Sequence, residues 1–138
     1  MTKLTPEEFH DLFLKASKSP SGWYWAHGGC YLYAFCFLRL VGGQAQSYLT
    51  HRKIHKAYGH CFIKFNGKFY DSESPEGLDS WKKLQSYMIR AQQNKVVKHG
   101  STRGIVKTWG FSQRQIKECN QFILEMKALK LKQAKAKK

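Results

Sequence analysis

Three residues whose side chains can together perform nucleophilic chemistry occur in the order Cys30, His60 and Asp71. A thiol attacks a carbonyl carbon as the thiolate, an imidazole can take the thiol proton, and a carboxylate can hold the imidazole in the required tautomer. Two of these residues also have a structural interpretation: Cys30 as a small buried apolar residue and Asp71 as the first residue of a turn. Their sequence context favours the chemical interpretation.

A predicted β-hairpin relates the imidazole to the carboxylate. Asn66-Gly67 stands between two aromatic-rich segments, which is the strongest short-range signal for a type I′ turn. A two-residue turn pairs Phe65 with Lys68. Because side chains alternate between the faces of a strand, this register puts His60 and Asp71 on one face, as diagonal neighbours roughly 7–8 Å apart.

Few other carboxylates could support His60 locally, because the sequence has no Asp or Glu between Asp11 and Asp71. The alternatives near the hairpin follow it directly and are Glu73, Glu76 and Asp79. The register predicted by the turn therefore selects Asp71 as the residue that orients the base.

The cysteine precedes an apolar run, residues 31–41, which lies between the glycine pairs 28–29 and 42–43. This run exceeds the usual strand length and predicts a buried helix, and it is too short to span a membrane, which needs roughly 20 residues. Cys30 would then begin the helix, where the dipole and free N–H groups stabilise a thiolate or an oxyanion. The other three cysteines are predicted to be buried packing residues: Cys36, Cys61 and Cys119.

The three residues and their neighbours resemble the transglutaminase-like group of papain-fold enzymes over about residues 23–75. Ala34 matches the alanine four residues after the family's cysteine, and residues 67–71 match its Gly-x-aromatic-aromatic-Asp strand. Residues 39–43 are similar to its arginine-then-glycine passage into the first strand. Gly28-Gly29-Cys30 is similar to the Gly-Gly-x-Cys segment of the related arylamine N-acetyltransferases, without the spacer residue.

This resemblance implies an α+β fold with a papain-like or transglutaminase-like core, in which N-terminal helices pack on a small antiparallel sheet and a C-terminal helix follows. It implies a thioester on Cys30, with His60 as base and Asp71 as orienter, in a peptidase, a protein-glutamine deamidase or a transglutaminase. The side-chain oxyanion donor, often Gln, that these enzymes place before the cysteine has no counterpart in residues 23–27. The segment that precedes the cysteine is expected to bind substrate through the following residues: Trp23, Trp25, His27 and Gly29.

The remaining elements follow from capping and periodicity, and they predict one catalytic-type domain over residues 1–126 with a basic tail over residues 127–138. Thr5-Pro6-Glu7-Glu8 is a capping box that begins an amphipathic helix over about residues 6–17. Ser112 with Gln115 begins the last helix in the same way. Strands are expected at 44–49, 96–97 and 104–109, and a further helix at 78–90.

Charge is the second informative feature, because 24 Lys and Arg against nine Asp and Glu give a formal net charge of +15. Six lysines lie in residues 127–138. They are either a solvated helix end or a surface that attracts an acidic partner. One expected partner is a protein or peptide substrate, which the charge suggests is acidic. A second is nucleic acid, bound non-specifically through the tail. No sequence motif indicates that the protein reads specific bases.

Four scattered cysteines without a Cys-x-x-Cys pair, and no signal peptide, predict a reducing, cytoplasmic location without a membrane partner. We expect no cofactor. A metal site at His51, His55, His60 and Cys61 is disfavoured because the first two histidines lie in a basic segment, so no metal is expected. Two function classes remain: a thiol-dependent amide or ester hydrolase or acyltransferase, and a catalytically inactive basic module that binds an acidic protein or nucleic acid.

Overall fold

The computed structural model describes residues 3–18, 30–41, 45–52, 58–84, 93–98 and 112–136, and it confirms the predicted α+β class. Over these residues the chain forms three α-helices: α1 (Pro6–Ser17), α2 (Cys30–Leu40) and α3 (Gln113–Ala136). Five strands accompany them: β1 (Gln46–Arg52), β2 (Tyr58–Phe65), β3 (Lys68–Asp71), β4 (Ser74–Leu78) and β5 (Gln93–Lys98). A short 3₁₀ turn covers Trp81–Lys83.

Helix α1 begins at the predicted capping box. The Thr5 hydroxyl accepts the Glu8 N–H at 3.1 Å, and the Glu8 carboxylate accepts the Thr5 N–H at 3.2 Å, so two N–H groups at the helix start are satisfied. Lys18, with a left-handed φ of 57°, ends the helix. The apolar face buries Phe9, Leu12 and Phe13, which confirms the predicted amphipathic helix.

The strands form one antiparallel sheet in the order β4-β3-β2-β1-β5. At the turn between β2 and β3, Asn66 and Gly67 have φ values of 53° and 76°, as a type I′ turn requires. Phe65 pairs with Lys68 and Ile63 with Tyr70, so the predicted hairpin register is confirmed. The sequence therefore specified this part of the sheet through two turn residues.

The region after the hairpin differs from the prediction. The expected helix over residues 78–90 is wrong at its start, because Leu78 is the last residue of β4 and pairs with Phe69. Ser80 then caps only the single 3₁₀ turn. Residues 85–90 lie outside the described ranges, as does the strand expected at 104–109. The expected strand at 96–97 is confirmed as part of β5.

Helices α1 and α2 pack on the face of the sheet that carries Cys61, Ile63 and Tyr70, and α3 packs against these two helices. Helix α2 is the most buried element, and an aromatic group joins it to α1, with Tyr33 and Phe37 edge-on to Phe9 at centroid distances of 5.0 and 5.2 Å. Such aromatic pairs stabilise the packing beyond their buried area. The core therefore fixes the position of α2, and with it Cys30, against the sheet.

The other face of the sheet carries a second aromatic layer. Phe62 stacks on Tyr48 of β1 at 5.7 Å and on Trp81 at 6.1 Å, with interplanar angles of 11° and 10°. The Trp81 indole, in the 3₁₀ turn, therefore covers β2 on the side that faces away from the helices.

Helix α3 begins at its predicted capping box, in which Ser112 and Gln115 exchange hydrogen bonds of 2.8 and 3.2 Å. It continues to Ala136, so the expected boundary at 126/127 falls inside the helix. Lys130 forms an ion pair with Glu8 of α1, and this contact lowers the pKa of the Glu8 carboxyl. Within the described ranges, no helix combines the length and apolarity needed to cross a membrane.

Candidate functional site

The thiol of Cys30 lies against the peptide bond that follows His60. Cys30 is the first residue of α2 and is 7% exposed. Its sulfur accepts the backbone N–H of Cys61 at 3.3 Å. That nitrogen belongs to the peptide bond between His60 and Cys61. The sulfur of the predicted nucleophile therefore lies next to the backbone of β2 at the residue after the predicted base.

The position of Cys30 as the first residue of α2 also bears on oxyanion binding. The first N–H groups of any α-helix have no partner within the helix, and they point outward from its N-terminus. A cysteine in the first turn therefore stands where a developing oxyanion can be held by backbone N–H groups. The apolar run that follows, with Leu32 and Phe35 buried, anchors this end of the helix in the core.

His60 lies where β2 departs from regular pairing. Cys61 pairs with Leu49 and Tyr58 with His51, so three steps along β2 correspond to two steps along β1. One extra residue on a strand is the mark of a β-bulge, and bulges are common next to active sites because they redirect the strand. The strict alternation behind the predicted shared face does not hold across a bulge, so the pairing of His60 with Asp71 stays a prediction.

Asp71 ends β3 and is almost completely buried, with 1% of its surface exposed. One carboxylate oxygen accepts the N–H of Glu73 at 3.0 Å, and Asp71 pairs with Ser74 across the turn into β4. The turn-forming role considered for this residue is therefore present. Burial of the carboxylate beside two buried hydroxyl-bearing residues, Ser72 and Ser74, is more than a turn requires.

A partly buried polar pair, which no clear sequence signal indicated, joins α1 to α2. The hydroxyl of Tyr33 lies 3.3 Å from Nδ1 of His10 on α1. Burial raises the pKa of Tyr33 well above its usual value, and the negative charge of Asp71 raises it further. Burial lowers the pKa of His10, and the carboxylates of Asp11 and Asp71 oppose that shift.

Tyr33 lies one helical turn after Cys30, so the two side chains lie on the same side of α2. The only sequence signal was the three-residue spacing between Cys30 and a tyrosine inside an apolar run. The structure therefore places Tyr33 and Cys30 together on α2, whereas a position of Asp71 beside Cys30 stays a prediction.

The other three cysteines are buried, as predicted. Burial raises the pKa of Cys36 and of Cys61 well above the usual value, with the neighbouring thiols Cys119 and Cys30 as the respective second causes. Burial, and then the charge of Glu118, raises the pKa of Cys119 to about 12. These three thiols are therefore protonated at neutral pH.

Iodoacetamide is expected to label Cys30 before the other cysteines when the folded protein is treated near neutral pH. Only thiolates react efficiently, and the other three thiols are protonated and at most 2% exposed. Peptide mass spectrometry after brief labelling measures the order. Labelling of Cys119 as fast as Cys30 would contradict the nucleophile assignment; labelling in denaturant, where all four thiols are accessible, is the control.

The predicted substrate-binding residues Trp23, Trp25, His27 and Gly29 lie outside the described residues, as does His55. Their roles stay predictions. Among the described residues, no three His, Cys, Asp or Glu side chains are grouped so that they could hold a metal ion.

Comparison of the chain with protein-family models, with curated proteins and with solved structures finds no match. The function of this chain is therefore inferred from the residues of the site itself.

Proposed function

We propose that this protein is a thiol-dependent amide or ester hydrolase or acyltransferase with a papain-like or transglutaminase-like core. Cys30 is the nucleophile, His60 the general base and Asp71 the residue that orients the base. The observation that supports this most strongly is the contact of the Cys30 sulfur, at the start of α2, with the N–H that follows His60. Nucleophile and base must lie within hydrogen-bond reach of each other, and neighbouring backbone positions are the precondition for that reach.

In the proposed first half-reaction, His60 takes the thiol proton and the Cys30 sulfur attacks the carbonyl carbon of the substrate. A C–S bond forms, and the carbonyl oxygen becomes an oxyanion that backbone N–H groups at the start of α2 hold. The C–N or C–O bond then breaks. The departing amine or alcohol receives the proton from His60, which leaves a thioester on Cys30.

In the second half-reaction, water or an amine attacks the thioester, and His60 takes a proton from the attacking group. The C–S bond breaks and the thiol is restored with that proton. Water as acceptor gives a peptidase when the scissile bond is in the backbone, and a deamidase when it is in a glutamine side chain. An amine as acceptor gives a transglutaminase, so the three activities share one thioester.

Asp71 supports this chemistry through its burial. A carboxylate held at 1% exposure, with one oxygen fixed by the N–H of Glu73, has few conformations available, so it can hold an imidazole in one tautomer. The proposal expects Asp71 to accept an N–H from His60.

A second candidate function is a catalytically inactive module that binds an acidic protein or, non-specifically, nucleic acid. The observation that favours it is the formal charge of +15, which attracts anionic partners whether or not the thiol reacts. A substrate that is a protein or acidic peptide, and a cytoplasmic location, likewise remain proposals.

The decisive experiment is mass spectrometry of an acidic, glutamine-containing test protein incubated with the wild-type protein or with Cys30→Ala. Replacement of an amide by an acid indicates deamidation, a new terminus indicates a peptidase, and a crosslink to an added amine indicates transglutamination. The proposal expects one of these products with wild type and none with Cys30→Ala. Binding of the test protein without any product, together with an unreactive Cys30, would favour the inactive module.

A further inference from the structure

The solvent-facing side of α3 carries two strongly exposed leucines. Leu124 and Leu131 are each 59% exposed, and they are the large apolar side chains with high exposure among the described residues. Because they are seven residues apart, they lie on the same side of the helix, about 10 Å apart along its axis. Ala128 lies between them on that side. One exposed leucine needs no explanation, whereas two aligned leucines beside a groove form a surface.

That groove lies between the end of α1 and α3. It is an open cavity of about 360 Å³. Its apolar lining comes from Ala16, Ala128 and Leu129, so Ala128 belongs both to the groove and to the side of α3 that carries the leucines. Charged residues complete the lining: Lys15, Lys18, Glu125 and Lys132.

Positive charge at the groove is only partly neutralised by the protein itself. Lys15 forms an exposed ion pair with Asp11 at 2.9 Å. Lys18 and Lys132, in contrast, have no ion-pair partner among the described residues. Helix α3 as a whole carries six basic and two acidic residues. A ligand that brings carboxylates to Lys18 and Lys132 would therefore meet complementary charge.

We propose that this surface docks an acidic amphipathic helix of a partner protein. We call it the α1–α3 docking surface and define it by six residues: Ala16, Lys18, Leu124, Ala128, Leu131 and Lys132. An apolar side chain of the partner enters the groove, a second one a turn or two further on covers the leucines, and flanking carboxylates pair with the lysines. This is the helix-in-groove mode of recognition, in which apolar residues at helical spacing anchor the ligand.

Nucleic acid and an anionic lipid bilayer fit the α1–α3 docking surface less well than an acidic helix does. A nucleic acid backbone would gain from the lysines but would leave the leucines and the apolar groove uncovered. A lipid bilayer is a flat surface, whereas the apolar lining of the groove is recessed between two helices. Helix α3 cannot rotate to present more apolar surface, because Cys119, Ile123 and Met126 hold its opposite side in the core.

This inference goes beyond the proposed function and does not depend on the reactivity of Cys30. The test uses the full chain and a fluorescein-labelled helical peptide of about four turns, with Leu at positions i, i+3 and i+7 and Glu at the flanking positions. Fluorescence anisotropy at physiological salt measures binding. Three double variants are compared with wild type: Leu124→Ser with Leu131→Ser, Lys18→Glu with Lys132→Glu, and Lys64→Glu with Lys82→Glu.

The third variant is the matched control, because Lys64 and Lys82 are exposed residues that lie against the aromatic layer of the sheet and the exchange changes net charge equally. We expect each of the first two variants to weaken binding about tenfold or more, and the control less than about twofold, because salt screens charges beyond roughly 8 Å. Cys30→Ala should bind the peptide as wild type does, even if the proposed thiol chemistry is wrong.

If the lysine variant at positions 18 and 132 and the control at positions 64 and 82 weakened binding equally, the attraction would be non-specific. That result would overturn the proposal. The proposal would likewise be overturned if Leu124→Ser with Leu131→Ser bound the peptide as tightly as wild type does. Vesicles of phosphatidylcholine and phosphatidylserine, and a single-stranded oligonucleotide, test the other partners. The proposal would also be overturned if Leu124→Ser with Leu131→Ser weakened the binding of vesicles or of the oligonucleotide more than it weakened the binding of the peptide.

Discussion

An activated ester is expected to leave its acyl group on Cys30, and Cys30→Ala is expected to reduce turnover of that ester by about 10³-fold or more, because the nucleophile of a covalent mechanism is lost. The sulfur already lies at the start of α2, where backbone N–H groups can hold the oxyanion of the attack. Rapid mixing should show a burst of released alcohol equal to the enzyme present. Mass spectrometry of the peptide that contains Cys30 should show the acyl group.

The matched control is Cys61→Ala, because it removes a neighbouring buried thiol and keeps the backbone N–H that donates to Cys30. The pKa of Cys61 is raised well above its usual value by burial, so this thiol is not expected to attack. The control should therefore retain the burst. An acyl group found on Cys61, or a burst that survives in Cys30→Ala, would show that the nucleophile was assigned to the wrong residue.

Local features of the sequence were enough to predict most of the elements that carry the site. Asn66-Gly67 specifies the β2–β3 turn because both residues must adopt positive φ, which few other residue pairs do at low cost. Thr5 with Glu8, and Ser112 with Gln115, specify helix starts through hydrogen bonds between residues three apart. Signals of this kind act within a few residues, so they can be read without knowledge of the tertiary fold.

The features that could not be predicted depend on residues distant in the sequence. Leu78 ends a strand rather than beginning a helix because it pairs with Phe69, and Trp81 leaves the helical pattern to stack on Phe62. Tertiary pairing of this kind overrides local helix propensity. The bulge in β2 likewise depends on the register with β1, which no turn residue specifies.

The site shows the same division. The position of Cys30 at a helix start followed from the apolar run and its glycine flanks, and the structure confirms it. The contact of its sulfur with the Cys61 N–H depends on how α2 packs across β2, thirty-one residues later, so it had no local signal. The hydrogen bond between Tyr33 and His10 depends in the same way on the packing of α1 against α2.

Asp71→Asn is expected to lower kcat by about 10³- to 10⁴-fold while the fold is kept, because an amide can hold the imidazole in the wrong tautomer. Asparagine has nearly the same shape as aspartate and keeps the oxygen that accepts the Glu73 N–H, so the turn into β4 should survive. Steady-state kinetics with the activated ester gives the loss in kcat. Thermal unfolding of the same samples shows whether the fold has been retained.

Glu73→Gln is the matched control, since it replaces a carboxylate with an amide two residues further on, in the same turn. Glu73 is half-buried, whereas Asp71 is 1% exposed, so only Asp71 has the fixed position that orientation of a base requires. We expect Glu73→Gln to retain at least about half of the wild-type kcat, because it keeps the backbone N–H that the Asp71 carboxylate accepts. The opposite result, with activity lost in Glu73→Gln and kept in Asp71→Asn, would assign the orienting role to Glu73. The β2–β3 register would stand in that case, because backbone pairing fixes it, but the bulge at His60 would have to turn the base away from Asp71.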